Sequence, residues 1–196
     1  SWFSDDAWRD MRLSSKSHWD IPVDVNGKTI HILASHPTPP VFDGPEDRNG
    51  KRNHDEIRFW YDYISNSASY IYDDKGTKGG LDNGQAFIIL GDQNASNVDG
   101  DAMNSGISSL LNHENIQDSK PQSLAGKLNR EDNPHAGNHT AHWGMRADYV
   151  LPSRQHLKIT NSAVFWPQST EETYRLIKNR AASSDHRLVW VDLEFK

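Results

Sequence analysis

The run Ala86-Phe87-Ile88-Ile89-Leu90 stops at Gly91-Asp92-Gln93-Asn94, and no other stretch constrains this chain as tightly. A short apolar run rich in β-branched and aromatic side chains, ended by Gly, predicts a buried strand. A carboxylate and an amide follow at its carboxyl end. Two residues apart, Asp92 and Asn94 point to the same side if the backbone is still extended. Asp brings charge and Asn brings a donor and an acceptor, a combination that suits a hard cation or a phosphate oxygen. The same tetrapeptide equally fits an Asx-type turn that merely ends a strand.

Other elements are legible on either side. Ser17 to Val25 alternates weakly, then meets Asn26-Gly27, a strong short-range hairpin signal, with Thr29–Ser35 as the return strand ending at His36-Pro37. Met11–Ser15 reads as a strand, and Ser1–Asp10 as a loop or short helical turn. Pro37 to Asn53 reads as a long loop of the functional sort. A helix is expected to start near His54-Asp55-Glu56, with Ile57, Trp60, Tyr61 and Ile64 on one face. A polar, Gly-rich excursion covers 70–84, and a short helix 101–111. Gln117 to Trp143 reads as irregular, and strands are predicted at 146–152, 157–165 and 188–193. Strands interleaved with few helices make this an α/β or α+β layered domain.

At 196 residues and 22.2 kDa the chain has room for one real core. Its mean hydropathy of -0.82 predicts long polar loops, while seven Trp, six Tyr and six Phe provide bulky interior material. Trp19, Trp60, Trp166 and Trp190 are expected in the core. A net charge of -6 offers no basic footprint for gripping a nucleic-acid backbone, although a metal can bring the missing positive charge. With no Cys, disulfides and thiolate zinc sites are out. No apolar run approaches membrane-span length. The opening Ser1-Trp2-Phe3-Ser4, with core-type aromatics and no initiator Met, predicts a piece of a longer chain.

Polar groups stand at four strand ends: His36, then Asp92 with Asn94, then Arg146 and Asp148, then Ser184-Asp185-His186. Together they supply what metal-assisted attack on a phosphate needs. If they instead cap separate loops, the domain is a non-catalytic metal- or partner-binding sandwich. Asn97–Asp101 has a calcium-loop flavour without the closing Glu of an EF-hand. His135, His139 and His142 lie close enough for a zinc site but read better as a solvated loop. Arg48 or Arg52 is available to an anionic substrate, or serves a mixed-charge surface loop.

In that order, Gly91-Asp92-Gln93-Asn94, Arg146-Ala147-Asp148-Tyr149 and Ser184-Asp185-His186 resemble the carboxyl-terminal half of the endonuclease/exonuclease/phosphatase superfamily. His36-Pro37-Thr38-Pro39-Pro40 resembles the segment that carries a first catalytic His in deoxyribonuclease I. The resemblance implies a deoxyribonuclease I-like sandwich of two mixed sheets flanked by helices. Residues 1–196 would form a single partial domain with its amino-terminal half missing, so its partners would be that half and a phosphate-ester substrate, nucleic acid among the candidates. It implies Mg²⁺ or Mn²⁺, with Ca²⁺ a third choice, and a metal-dependent phosphoesterase, weak or inactive as this piece. By the same resemblance Asp92 orients water and binds metal, Asn94 contacts the phosphate, and Asp185 sits near the metal. His186 binds phosphate or moves a proton, held by Asp148, and His36 faces the phosphate from the other side. The compartment is open, with a lean toward a secreted or periplasmic bacterial enzyme.

Overall fold

The computed structural model describes residues 4–65 and 68–196. The expectation of core aromatics at Trp2 and Phe3 lies outside the described residues. A four-stranded sheet is built from β1 (His18–Val25), β2 (Lys28–Ser35), β3 (Ala86–Asp92) and β4 (Asp148–Pro152), in that spatial order. The hairpin β1–β2 turns through Asn26 and Gly27, both at positive φ (56° and 79°), as a two-residue connection of this twist requires. β3 runs parallel to β2 and antiparallel to β4. β5 (Leu157–Phe165) and β6 (Leu188–Phe195) form a second, antiparallel pair.

Alternation along the strands sorts the two faces. Leu33, Phe87, Ile89, Tyr149 and Leu151 pack with Ile57, Trp60 and Ile64 of α2 (Arg48–Ile64) and with Ile107 and Leu110 of α3 (Asn104–Leu111). Ile30, Ile32, Ala86 and Ile88 turn the other way, onto Leu157, Leu193 and Phe195 of the second sheet. The result is helices on sheet on sheet. The expected α/β sandwich with outer helices is what forms.

The edge strand β1 departs from the expectation for Trp19. Trp19, Ile21, Val23 and Val25 pair across with Ala34, Ile32, Ile30 and Lys28, so they share the face of the inter-sheet core. The second sheet does not reach that far. Trp19 is 59% exposed, and Ile21, Val23 and Val25 are exposed beside it. Pro22 sits in the middle of this strand, where its missing N–H costs no ladder bond because the strand is an edge.

Three further expectations are corrected. Met11–Ser15 is not a strand: Ser15 donates its amide and hydroxyl to the Glu56 carboxylate at 2.5 and 2.8 Å. The helix α2 begins at Arg48, well before His54, because the Asp43 carboxylate accepts the Asn49 amide at 2.5 Å. No acid lies in its first turn. The irregular stretch 117–143 contains α4 (Leu124–Asn129), capped by Ser123 on the Gly126 amide at 3.0 Å. The short helix α1 (Asp5–Asp10) is capped similarly by Ser4.

Candidate active site

Strand pairing alone brings two carboxylates together. Asp92, the last residue of β3, lies directly opposite Asp148, the first of β4. Like charges facing each other across a ladder repel, so the arrangement needs compensation. His186 provides it. Its Nδ1 is 2.8 Å from Asp148 Oδ2 and its Nε2 is 3.7 Å from Asp92 Oδ2. His36, just past β2, places its Nε2 3.3 Å from the same Asp92 oxygen and is half exposed. Four of the sequence-predicted residues therefore share one cleft.

The backbone around them is bent to make this possible. Gly91 has φ +136°, and a Cβ there would lie 2.0 Å from the Ser35 carbonyl oxygen, so no other residue fits without moving β2. Asn94 has φ 50°, which ends the extended geometry that would have aligned it with Asp92. Its amide N–H donates to Asp92 Oδ1 at 2.8 Å, the Asx turn itself, and its side-chain amide donates to the Pro37 carbonyl at 3.0 Å. Asn94 thus ties the Asp92 turn to the loop after His36. Turn role and site role coincide in one residue.

Two polar residues of α2 support this loop pair from beneath, and neither carried a sequence signal. The buried Asn53 amide donates to the carbonyls of Thr38 and Gln93, each at 2.9 Å. The Glu56 carboxylate, fully buried, accepts the Thr38 amide at 2.5 Å as well as Ser15. Unpaired, a carboxylate there would be costly; three donors make its burial tolerable. In sequence Asn53 reads as the end of a loop and Glu56 as an acid of a first helical turn, and neither position points to the interior.

Other expected members do not join. Asp185 forms an ion pair with Arg180 and is outside the cluster, while its carbonyl accepts the His142 amide at 2.9 Å. Arg52 donates to the backbone carbonyls of Arg12 and Leu13 at 2.9 and 3.2 Å, anchoring the amino-terminal segment. His139 is fully buried, not solvated, with Nε2 3.2 Å from Asp99 Oδ2; Asn133 takes the other Asp99 oxygen at 2.7 Å. Asp99 is thus engaged by Asn133 and His139, and among the described residues neither it nor the three histidines belong to a metal-capable group. Trp143, 43% exposed, stands edge-on to His186 with ring centroids 4.8 Å apart.

Burial and the facing Asp148 charge push the Asp92 carboxyl above its usual range. The hydrogen bond to Asp148 holds the His186 imidazole above its ordinary 6.5, against the opposing effect of burial. A raised imidazole adds stability that is complete below 6.5 and is lost as pH rises through the raised value. The difference in melting temperature between wild type and His186→Gln should therefore shrink between neutral and alkaline pH. A pH-independent difference would contradict the ion pair.

Asp92, Asp148 and His186 offer ligand atoms that all lie within 4.8 Å of one another. Hard divalent ions prefer oxygen, and Mg²⁺ keeps several waters while taking one or two carboxylates. The group fits such an ion as a partial shell centred on Asp92, because Asp148 Oδ2 is already engaged by His186.

Residues 5–186 match the model of the Endonuclease/Exonuclease/phosphatase family. The chain belongs to that family. A solved endonuclease/exonuclease/phosphatase structure from Beutenbergia cavernae aligns over 90% of this chain and 38% of its own, with TM-score 0.56 and 18% identity. The human Nocturnin catalytic domain aligns over 87% of this chain and 49% of its own (TM-score 0.45, 17% identity). Sphingomyelinase C from Streptomyces griseocarneus aligns over 88% and 52% (TM-score 0.38, 11% identity). The chain thus spans about two fifths to half the length of these three solved structures. No curated protein gives a significant sequence match. No described helix is long and apolar enough to cross a membrane.

Proposed function

We propose that this chain carries the catalytic cleft of a phosphoesterase that hydrolyses a phosphodiester or phosphomonoester by direct attack of water. The observation that carries the reading is His186 set between two facing carboxylates, 2.8 Å from Asp148 and 3.7 Å from Asp92, with His36 on the far side of Asp92. Asp148 orients the ring so that Nε2 faces the cleft, the logic by which a carboxylate aims a catalytic imidazole. Asp92 orients the attacking water, His186 binds a phosphate oxygen or moves a proton, and His36 assists the leaving group. Asn94 borders the phosphate position and fixes the loop of His36. A divalent ion, Mg²⁺ or Mn²⁺, would supply Lewis-acid charge at Asp92 in a protein whose own net charge is -6. Asp185 lies one residue from His186 and becomes available to the ion only if it leaves Arg180.

Against this stands a non-catalytic sandwich whose polar residues cap separate loops; convergence of His36, Asp92, Asp148 and His186 favours catalysis. The uncovered apolar face of β1 further supports a partial domain, completed by additional strands of the sandwich. The test is a substrate panel of bis(p-nitrophenyl) phosphate, p-nitrophenyl phosphate, duplex DNA and sphingomyelin vesicles, with Mg²⁺, Mn²⁺ or EDTA. Slow, metal-dependent release from at least one member is expected. Turnover undiminished by EDTA overturns the metal-assisted route. Saturable metal binding with no turnover on any member, by this chain and by a longer chain that includes the completing strands, assigns it to the non-catalytic alternative.

A further inference from the structure

Thr140, which neither motif nor mechanism uses, is tied by its side chain and its main chain to several segments of the site. It is fully buried, in the stretch between the 3-10 turn 136–138 and β4. Its Oγ1 lies 3.0 Å from the amide nitrogens of both Ala147 and Asp148, and 2.6 Å from Asp148 Oδ2. A hydroxyl has two lone pairs and one proton. The two amides can only donate, so they occupy the lone pairs, and the proton is left for the carboxylate. The direction of that hydrogen bond is therefore fixed by valence.

The consequence passes to His186. Asp148 Oδ2 accepts from Thr140 and, at 2.8 Å, from His186 Nδ1. An oxygen that accepts from both sides leaves the imidazole proton on Nδ1, and Nε2 is the nitrogen presented to Asp92 and the cleft. The main chain of Thr140 adds two more ties. Its carbonyl accepts the Arg187 amide at 2.7 Å, and its amide donates to the Met145 carbonyl at 3.0 Å. Its neighbour Ala141 bridges to both Met145 and His186. One residue thus joins the approach to Asp148, the segment that carries His186, and its own loop.

We propose that Thr140 is a positioning residue of this site, setting the orientation of Asp148 and, through it, the tautomer of His186. The proposal rests on the catalytic reading only for its effect on rate; the tautomer is measurable without turnover. A hydroxyl that merely stitches a loop would be indifferent to which ring nitrogen of His186 carries the proton.

The experiment is ¹⁵N NMR of the histidine rings, with His186 assigned by comparison with His186→Gln, at alkaline pH where the ring is neutral. Wild type is expected to carry its proton on Nδ1. Thr140→Ser should keep that signature, and Thr140→Val should lose it, moving toward a mixture or toward Nε2–H. On any substrate that the panel identifies, Thr140→Val should lower kcat by on the order of 10-fold or more with little change in KM, as removal of an orienting partner does elsewhere, while Thr140→Ser stays near wild type. Folded Thr140→Val with an unchanged His186 spectrum overturns the proposal. So does an Nε2–H tautomer in wild type, a result that needs no variant to fold. If the panel shows no turnover while the tautomer shifts as expected, the catalytic reading fails and the positioning role stands.

Discussion

His186→Ala is expected to lower phosphoester hydrolysis by on the order of 10²-fold or more on whichever substrate the wild-type chain turns over. The size follows from position. Among the described residues the ring pairs with both facing carboxylates, so its loss removes an acid–base or phosphate-binding group, takes the imidazole from Asp148 and leaves Asp92 with His36 alone. Kinetics should separate the two consequences. A lost proton transfer falls mainly on kcat, whereas lost phosphate binding in the ground state raises KM. Measuring both with His186→Ala and His186→Gln, after checking near-UV circular dichroism, decides between them. Hydrolysis close to wild type by a folded variant would remove His186 from the mechanism.

Asp118→Ala should cost about 3–5 kcal/mol of stability. Arg146 and Asp118 form a bidentate pair, with nitrogen–oxygen distances of 2.8 and 2.7 Å, and both side chains are buried. Asp118 is held below its usual carboxylate range by that guanidinium, against the larger opposing pull of burial. Truncating the acid strands a cation that lies 4.3 Å over the Tyr149 ring and is almost wholly out of water. Urea denaturation measures the loss. The double replacement Asp118→Ala with Arg146→Met should recover much of it, because removing both charges removes the desolvation debt. A single variant within 1 kcal/mol of wild type would show that the pair is solvated in solution. Since Arg146 precedes Asp148 by two residues, the pair also anchors the start of β4, and loss of stability and loss of site geometry should appear together.

How much of this could be read from the chain depended on where the deciding contacts lie. The hairpin around Asn26-Gly27, the apolar body of β3, and β5 and β6 follow from local patterns, alternation or an apolar run followed by a turn residue. Asp92, Asp148 and His186 were visible because each sits at a strand end in a recognisable short motif. The beginning of α2 was not visible, since it depends on Asp43 reaching Asn49 across a loop. Asn53, Glu56 and Thr140 were hidden for a related reason. Each is a buried polar residue whose side-chain partners lie seven to forty-one residues away, and a polar residue in a loop or a first helical turn reads as solvent-facing. His139 was misplaced by the same logic. Trp19 erred in the opposite direction: apolarity marks the face a strand presents, but not whether another layer covers it.

The uncovered strand β1 has a further, colloidal meaning. Its Trp19–Val25 face is adhesive, yet Pro22 interrupts the outward row of amide donors at the middle of the strand, and Asp20 and Asp24 flank that gap. The edge lacks the unbroken ladder that strand addition needs, which disfavours growth of fibrils from it.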